Sequence, residues 1–337
     1  MTAFMNYMIG IKPAEAAGQE RRFFDMKKDQ ALGYMLVIFA GIMWGTAGLF
    51  STVLSSLGLS ASMVALIRLS SGAVFLGIFM LIKYGPEIFK IDAKGLIWCA
   101  LMGIFVQGLY NVSYSEAVKE TGMAAATIML YTSPVFVSVM SRMLFKEKFT
   151  ALKVGALVLN IAGCALAVTG GDFGDIHIPL IGFASGLAAG FLYSLLPVIN
   201  TEALKEYNIM TITFYGLIIG SLLLTVISRP WEYAGQLMNI EAGLAAAGYG
   251  LIPTAAAYIA YSVGLEKRLE TSKVPIMASI EVVSAAVIGV IALSQELSSG
   301  KLVGIAVLLM SIVLMNIDTG KLPAVRLRVR SFARRRA

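Results

Sequence analysis

Histidine is nearly missing from this chain: His177 is the only one in 337 residues. Metal centres and acid–base catalysts draw on clustered His, Cys and carboxylates, so neither a metal nor a cofactor is expected. His177 stands beside Asp172 and Asp175 in a short polar segment; a solvated loop is the expected reading there, and a weak surface metal site the alternative. Cysteine is scarce as well. Cys99 and Cys164 both fall in apolar runs, which fits small core residues better than a disulfide. Charge is short too. Only 14% of the residues are charged and 58% are hydrophobic, with a mean hydropathy of +0.80, whereas soluble proteins carry about 25% charged residues. A soluble two-domain protein is thereby excluded. The chain also lacks a phosphate-binding glycine loop, so ATP is not its direct driver. It lacks a nucleophile paired with a base, which argues against an enzyme, and the rings of like charge that mark many channels.

What remains is apolar sequence in long runs. A hydrocarbon core of about 30 Å takes roughly 20 apolar helical residues to cross. Ten such runs can be traced, at approximately 31–54, 61–83, 95–117, 122–143, 151–170, 178–199, 209–228, 242–265, 274–294 and 301–317. Pro179 and Pro275 open two of them, at positions where a helix tolerates proline. The alternation required of barrel strands is absent. The expected fold is therefore an all-α polytopic membrane protein of ten transmembrane helices.

Lysine and arginine orient it. With the N-terminus inside, cytoplasmic segments hold 23 of them and external loops hold 3, namely Lys119, Arg229 and Lys301. By the positive-inside rule both termini face the cytoplasm, and the bacterial cytoplasmic membrane is the expected location. The same bias accounts for the net charge of +7 and the tail "RLRVRSFARRRA" without a nucleic-acid partner; contact of the tail with anionic lipid headgroups is expected instead. Residues 1–30 read as a cytoplasmic extension, and "MKKDQALGY" from Met26 resembles a natural start, which would make residues 1–25 dispensable. Monomer and homodimer remain equally open.

The chain repeats itself. "YSEAVKETG" from Tyr114 answers "YSVGLEKRL" from Tyr261, and "GIMWG" at 41–45 answers "GLAAG" at 186–190, at offsets of 145 to 149 residues. Two five-span halves follow, 31–170 and 178–317. Five is odd, so the second half enters from the opposite face. Such inverted-topology repeats belong to secondary transporters, with a site near the midplane between the halves.

The residues resemble the EamA-type members of the drug/metabolite transporter superfamily. The resemblance is carried by Trp44-Gly45, by Arg68 in "ALIRLSSG", by "YSEAVKET" at 114–121, by "YTSPVF" at 131–136 and by Glu147 thirteen residues after Pro134. Glu281 stands where that family often has Glu followed by Pro; Val282 replaces the Pro, Gln295 is in register with Glu147 and Glu296 falls one residue later. The resemblance implies alternating-access export or exchange of small polar or amphipathic metabolites such as amino acids. Carriage of nucleoside-like or sugar-derived metabolites, and an accessory role without transport, are the alternatives.

Polar groups inside spans must find a partner or water, and they mark the candidate cavity. Gln107, Tyr110, Asn111 and Tyr114 recur at three and four residues, hence on one helical face. Thr254, Tyr258 and Tyr261 form a similar stripe, and Tyr131 and Tyr193 join them from neighbouring spans. Trp44 sits mid-span, away from the interfaces that aromatic belts occupy, and either fills a gap or walls the cavity; Thr46 shares its unusual position. Gly41 and Gly45, the series Gly182, Gly186 and Gly190, Gly216 and Gly220, and Gly243 with Ala247 space small residues for close helix approach. Pro134, Pro197 and Pro253 interrupt spans and are candidate hinges or simple bends. Two charges lie inside spans. Arg68, roughly 10 Å below the outer surface at 1.5 Å per residue, is expected to be structural, reaching Glu116 or, fully stretched, Glu281. Glu281, at a similar depth from the inner surface, is costly as an anion there. It is the candidate coupling residue, able to carry a proton or meet a substrate ammonium, unless it is merely hydrogen-bonded to a neighbouring helix.

Overall fold

A computed structural model describes residues 13–174, 178–294 and 296–317, with side chains from Lys28 onward. The His177 loop site, Gln295, the Met26 start and the basic tail lie outside the described residues or side chains. Among the described residues the chain is helical and free of strands. In hydrocarbon only a helix satisfies its own backbone groups within one segment, and that selects this architecture.

Nine helical stretches are long and apolar enough to cross a membrane, counted among the described residues. The first, Lys28–Ser56, takes in the latter part of α1 (Pro13–Gly45) and α2 (Ala47–Ser56). It is followed by α3 (Ala61–Tyr84). Next come α4 (Ala93–Leu101), a π-helical segment (Met102–Leu109), α5 (Tyr110–Leu130) and α6 (Ser133–Leu144). These run together as one 52-residue stretch, some 80 Å of helix at 1.5 Å per residue. Gly122 interrupts it with φ 78°, a conformation that glycine alone adopts freely. The first half closes with α7 (Ala151–Thr169). The second contains α8 (Leu180–Ala203), α9 (Ile209–Ser228), α10 (Ile240–Gly250), a π segment (Leu251–Ala256), α11 (Ala257–Leu265), α12 (Val274–Ala278), α13 (Ile280–Leu293) and α14 (Ser299–Asn316).

Polar caps define the helix ends. Ser60, Asp92, Thr150, Asn208, Asn239 and Ser298 each accept a hydrogen bond from a backbone N–H of the turn they open, satisfying donors that have no partner within the helix. Gly170 ends α7 in the left-handed conformation. The irregularities repeat across the halves. The two π segments begin at Met102 and Leu251, 149 residues apart. The break before α6 at Thr132 is matched by the break at Ser279, 147 residues on.

The halves interlock. Helix α7 packs along α14, α5 along α8, and α1 along α11, α12 and α13. Close approach rests on glycine: a Cβ at Gly163 would lie 2.6 Å from the Leu308 nitrogen, and one at Gly304 only 2.1 Å from the Ala167 nitrogen. The expected small-residue contacts are present at Gly41, Gly45, Gly182, Gly186, Gly190, Gly216 and Gly220. Gly243 differs: nothing lies within 4 Å of its Cβ position, because it sits on the exposed side of α10. Polarity is inverted relative to a soluble protein. Gln107, Asn160 and Asn200 are buried while Ile82, Val226 and Ile291 face outward, as a lipid solvent allows. Cys99 and Cys164 are buried and unbonded.

Candidate functional site

Three spans break within their length in the same way. At Thr46, Thr132 and Ser279 the backbone remains near the helical region, with ψ of −14°, −14° and −7°. Each hydroxyl donates to the carbonyl three residues back: Thr46 to Met43 at 2.7 Å, Thr132 to Met129 at 2.6 Å and Ser279 to Ile276 at 2.7 Å. The Met43 and Met129 carbonyls also accept the backbone N–H of Thr46 and Thr132, so the hydroxyl adds a second local bond at a turn where the regular helical ladder is broken. Thr46 therefore has a defined structural task. Pro134 sits just past one break, in the first turn of α6, rather than at the break itself. Pro197 lies inside a continuous α8, and Pro253 inside the second π segment.

The breaks surround one cleft. Trp44, Tyr131, Tyr193, Tyr261 and Glu281 are among its walls, and its interior of about 20 Å³ has room for about one water molecule. Glu281 lies in the first turn of α13, where the positive end of the helix dipole favours an anion. Its Oε1 accepts from the Tyr131 hydroxyl at 2.5 Å. Gly41 and Gly45 hold this geometry: their Cβ positions lie 2.6 Å from the Ala278 carbonyl oxygen and 2.7 Å from that of Glu281. The first span is thus pressed against the break that seats the carboxylate, and Ser284 Oγ donates to the Ile42 carbonyl at 2.8 Å.

A polar and aromatic ladder adjoins the cleft. Trp44 meets Tyr261 at 5.3 Å and Tyr258 at 5.8 Å between ring centroids. Gln107 Nε2 donates to the Tyr258 hydroxyl at 2.8 Å, Asn111 Nδ2 to the Gln107 carbonyl at 2.5 Å, and Arg68 to Asn111 Oδ1 at 3.2 Å. Tyr110 bridges to the cleft through Tyr193, 5.2 Å away. Tyr114 stacks on Tyr110 at 6.1 Å and bonds Thr127, one step farther out. Of the residues expected to wall the cavity, Trp44, Tyr131, Tyr193 and Glu281 reach it; Gln107, Tyr110, Asn111 and Tyr258 form the layer behind. Thr254 is buried, is not among the cleft's walls, and donates its hydroxyl to the Tyr249 carbonyl.

Arg68 corrects an expectation. Among the described residues it pairs with neither Glu116 nor Glu281, and its hydrogen-bond partner is Asn111. Glu116 instead meets Lys119 at 3.2 Å, a neighbour one turn away on its own helix. Tyr261, from the same stripe as Tyr258, also reaches the cleft, and Ser133, Ser194 and Pro275 line it although no pattern in the sequence marked them as walls.

A second cluster lies at the end bearing loops 145–150 and 266–273. Lys153, 10% exposed at its side chain, stands 2.8 Å from Glu270 and 3.5 Å from Glu147, and it donates to Ser272 Oγ at 2.8 Å. Glu147 accepts from the Thr271 N–H at 2.7 Å and from the N–H and hydroxyl of Ser272. The carboxylate that carries part of the family resemblance thus ties the loop of one half to the loop of the other. Burial alone would push the Glu270 carboxyl up, but the hydrogen bond from Lys153 and the charges of Lys273 and Lys153 hold it below the ordinary range.

An all-helical membrane protein with two interlocked repeats and a polar, aromatic cleft at its helix breaks has the build of a transporter. The chain belongs to the EamA-like transporter family, which matches residues 31–169 and again 180–317. It is similar to an "Uncharacterized transporter" of Archaeoglobus fulgidus, 29% identical over 64% of this chain and 75% of that one. It also resembles "Uncharacterized transporter YwfM" of Bacillus subtilis, at 23% identity over 84% of this chain and 93% of that protein. A solved crystal structure superposes with a TM-score of 0.71 at 17% identity, covering 84% of this chain and 96% of the other; it bears on the fold alone.

Proposed function

We propose that this protein is a secondary active carrier that exports or exchanges small amphipathic metabolites such as amino acids, by alternating access around the cleft between its halves. The 52-residue stretch is read as two crossings divided at Gly122, which makes ten spans. With the bias of 23 Lys and Arg to 3, both termini lie in the cytoplasm, and the host membrane is the bacterial cytoplasmic one. Pro197 and Pro253 are candidate hinges.

One observation carries the reading: the Glu281 carboxylate opens a helix and lines an aromatic cleft, and among the described residues its hydrogen-bond donor is Tyr131. A carboxylate so placed can exchange a proton for the ammonium of a substrate. The aromatic walls supply apolar surface and Tyr131 and Tyr193 supply hydroxyls, the mixture that amphipathic ligands require. Uptake of a labelled amino-acid and metabolite panel by proteoliposomes, with and without an imposed pH gradient, tests this. Saturable flux that depends on the gradient is expected; gradient-independent, unsaturable leakage for every class would end the proposal.

A further inference from the structure

Among the described residues seven buried side-chain atoms lack a hydrogen-bond partner, and four of them lie together. These are the hydroxyls of Ser138 and Ser141 on α6 and both the oxygen and the nitrogen of the Asn200 amide on α8. All three residues are at most 1% exposed. A buried donor or acceptor without a partner costs stability that an alanine would not, so three such residues on packed helices call for a reason. Their positions supply one. Val137 on α6 and Pro197 on α8 wall the Glu281 cleft. Ser141 follows Val137 by four residues and Asn200 follows Pro197 by three, so each continues a cleft-facing helical face by one turn. Helices α6 and α8 pack on each other and on α12, whose Val274 and Ala278 also wall the cleft. This polar column runs toward the end bearing loops 145–150 and 266–273, and there it is shut. Thr201, next to Asn200, bonds the Thr271 hydroxyl at 3.0 Å, and Glu147 accepts from the Thr271 N–H at 2.7 Å. From Pro197 to Thr201 is about 6 Å of helix at 1.5 Å per residue. One turn of buried polar side chains thus separates the cleft from its seal.

We propose that Ser138, Ser141 and Asn200 line the inner half of the transport path, closed in this conformation, and that the Thr201–Thr271–Glu147 contact is its gate. The proposal rests on the carrier reading above and deepens it, assigning a route and a gate to the end that faces the cytoplasm in the proposed orientation. Unpartnered hydroxyls and an amide are costly only while the path is shut. Once Thr201 and Thr271 part, water or the polar part of a substrate completes their hydrogen bonds. Asn200 offers both donors and an acceptor, and none of the three residues carries a charge, so they can hydrate a passing substrate without holding it. The path also lies where the halves meet. Helix α6 and Glu147 belong to the first half, and α8 and Thr271 to the second, so one movement of the halves opens wall and gate together. Thr213 is a matched contrast: it is buried and unpartnered too, but on α9, which packs along α3 and the first π segment.

Thiol labelling tests this. Full-length protein with Cys99→Ala and Cys164→Ala carries Ser141→Cys, Asn200→Cys or Thr213→Cys singly, in inside-out membrane vesicles, and a charged, membrane-impermeant methanethiosulfonate is added. With the gate intact, Ser141→Cys and Asn200→Cys should label slowly. Adding Thr201→Val should speed both by about threefold to tenfold, the population shift from losing one neutral hydrogen bond. Adding Glu147→Ala should speed both by about tenfold to a hundredfold, since its hydrogen bonds are to a charged group. Thr213→Cys should stay within about twofold in either background. Thr201→Val, nearly constant in volume, guards against a folding defect in Glu147→Ala. Equal acceleration at Thr213→Cys would mean general loosening and would overturn the proposal. So would rates at Ser141→Cys and Asn200→Cys that neither gate variant changes. Counterflow of labelled metabolites by wild type separates this proposal from the carrier reading. Overshoot without the labelling pattern would remove the path and keep the carrier; the labelling pattern without overshoot for any metabolite would remove the carrier and keep a gated aqueous path.

Discussion

Two glycines three residues apart in "MWGTAGLF" make opposite predictions when each is replaced by alanine. A Cβ at Gly45 would lie 2.5 Å from Ser284 Cβ and 2.7 Å from the Glu281 carbonyl oxygen. Contacts between carbon atoms settle at about 3.5–4.0 Å, so α1 and α13 would have to part by roughly 1 Å. Overpacking of this kind costs about 1–3 kcal/mol. The displaced segment carries Glu281, and a misplacement of about 1 Å at a reacting group can cost about a hundredfold in rate. Gly48 lies on the exposed side of α2 with nothing within 4 Å of its Cβ position, so Gly48→Ala should gain up to about 0.5–1 kcal/mol of helix propensity. Thermal unfolding in detergent and initial transport rates in proteoliposomes read both effects. Gly45→Ala should melt lower and transport far more slowly; Gly48→Ala should melt no lower and transport normally. Equal behaviour of the two variants would refute the packing argument, and a normal rate in a destabilised Gly45→Ala would detach the glycine from the site.

Other expectations follow from the same geometry. Tyr131→Phe removes the hydroxyl from Glu281 at nearly constant volume, a loss of about 1.5–3 kcal/mol for a bond to a charged group; transport should fall about tenfold or more and the melting temperature should drop by a few degrees. Gly304→Ala would set a Cβ 2.1 Å from the Ala167 nitrogen, so α7 and α14 should separate and the protein should lose expression or melt markedly lower, which size-exclusion and thermal scans would show. Lys153→Met should destabilise by about 1–3 kcal/mol, between the values for exposed and buried ion pairs, since Lys153 is buried and Glu270 half exposed. The Glu270 carboxyl is held below its ordinary value of 4.5, so its contribution is fully present above that pH and is lost as pH falls through the lower folded-state value. Melting curves of wild type should therefore drop on acidification below about pH 4.5, and Lys153→Met should flatten that drop; parallel curves would remove the cluster from the account.

Long apolar runs and glycine spacing announced the helices because a bilayer imposes a minimum length and close packing imposes small residues. The face of Gln107, Tyr110, Asn111 and Tyr114 was legible from its period, and Glu281 from its cost in hydrocarbon. The breaks were not legible. Thr46, Thr132 and Ser279 occur in runs whose periodicity continues across them, and a hydroxyl bonded three residues back leaves no trace in a hydrophobic pattern. Pro134 drew attention to its region but lies after the break, where a first turn accepts proline. The Lys153–Glu270 contact joins residues 117 positions apart from different halves, and a single sequence contains nothing that pairs them. Arg68 shows the same limit: its depth could be counted, but whether a carboxylate or an amide met it depended on the rotation of α3 against α5.

The most direct test of the central claim is counterflow. Proteoliposomes loaded with a high concentration of unlabelled amino acid, diluted into a trace of labelled amino acid, should transiently accumulate label above its equilibrium level in wild type. Glu281→Gln should show no such overshoot if the carboxylate is part of the cycle. An overshoot as large in Glu281→Gln as in wild type would contradict the role given to the cleft, and simple equilibration without overshoot for every amino acid and metabolite tried would contradict a carrier.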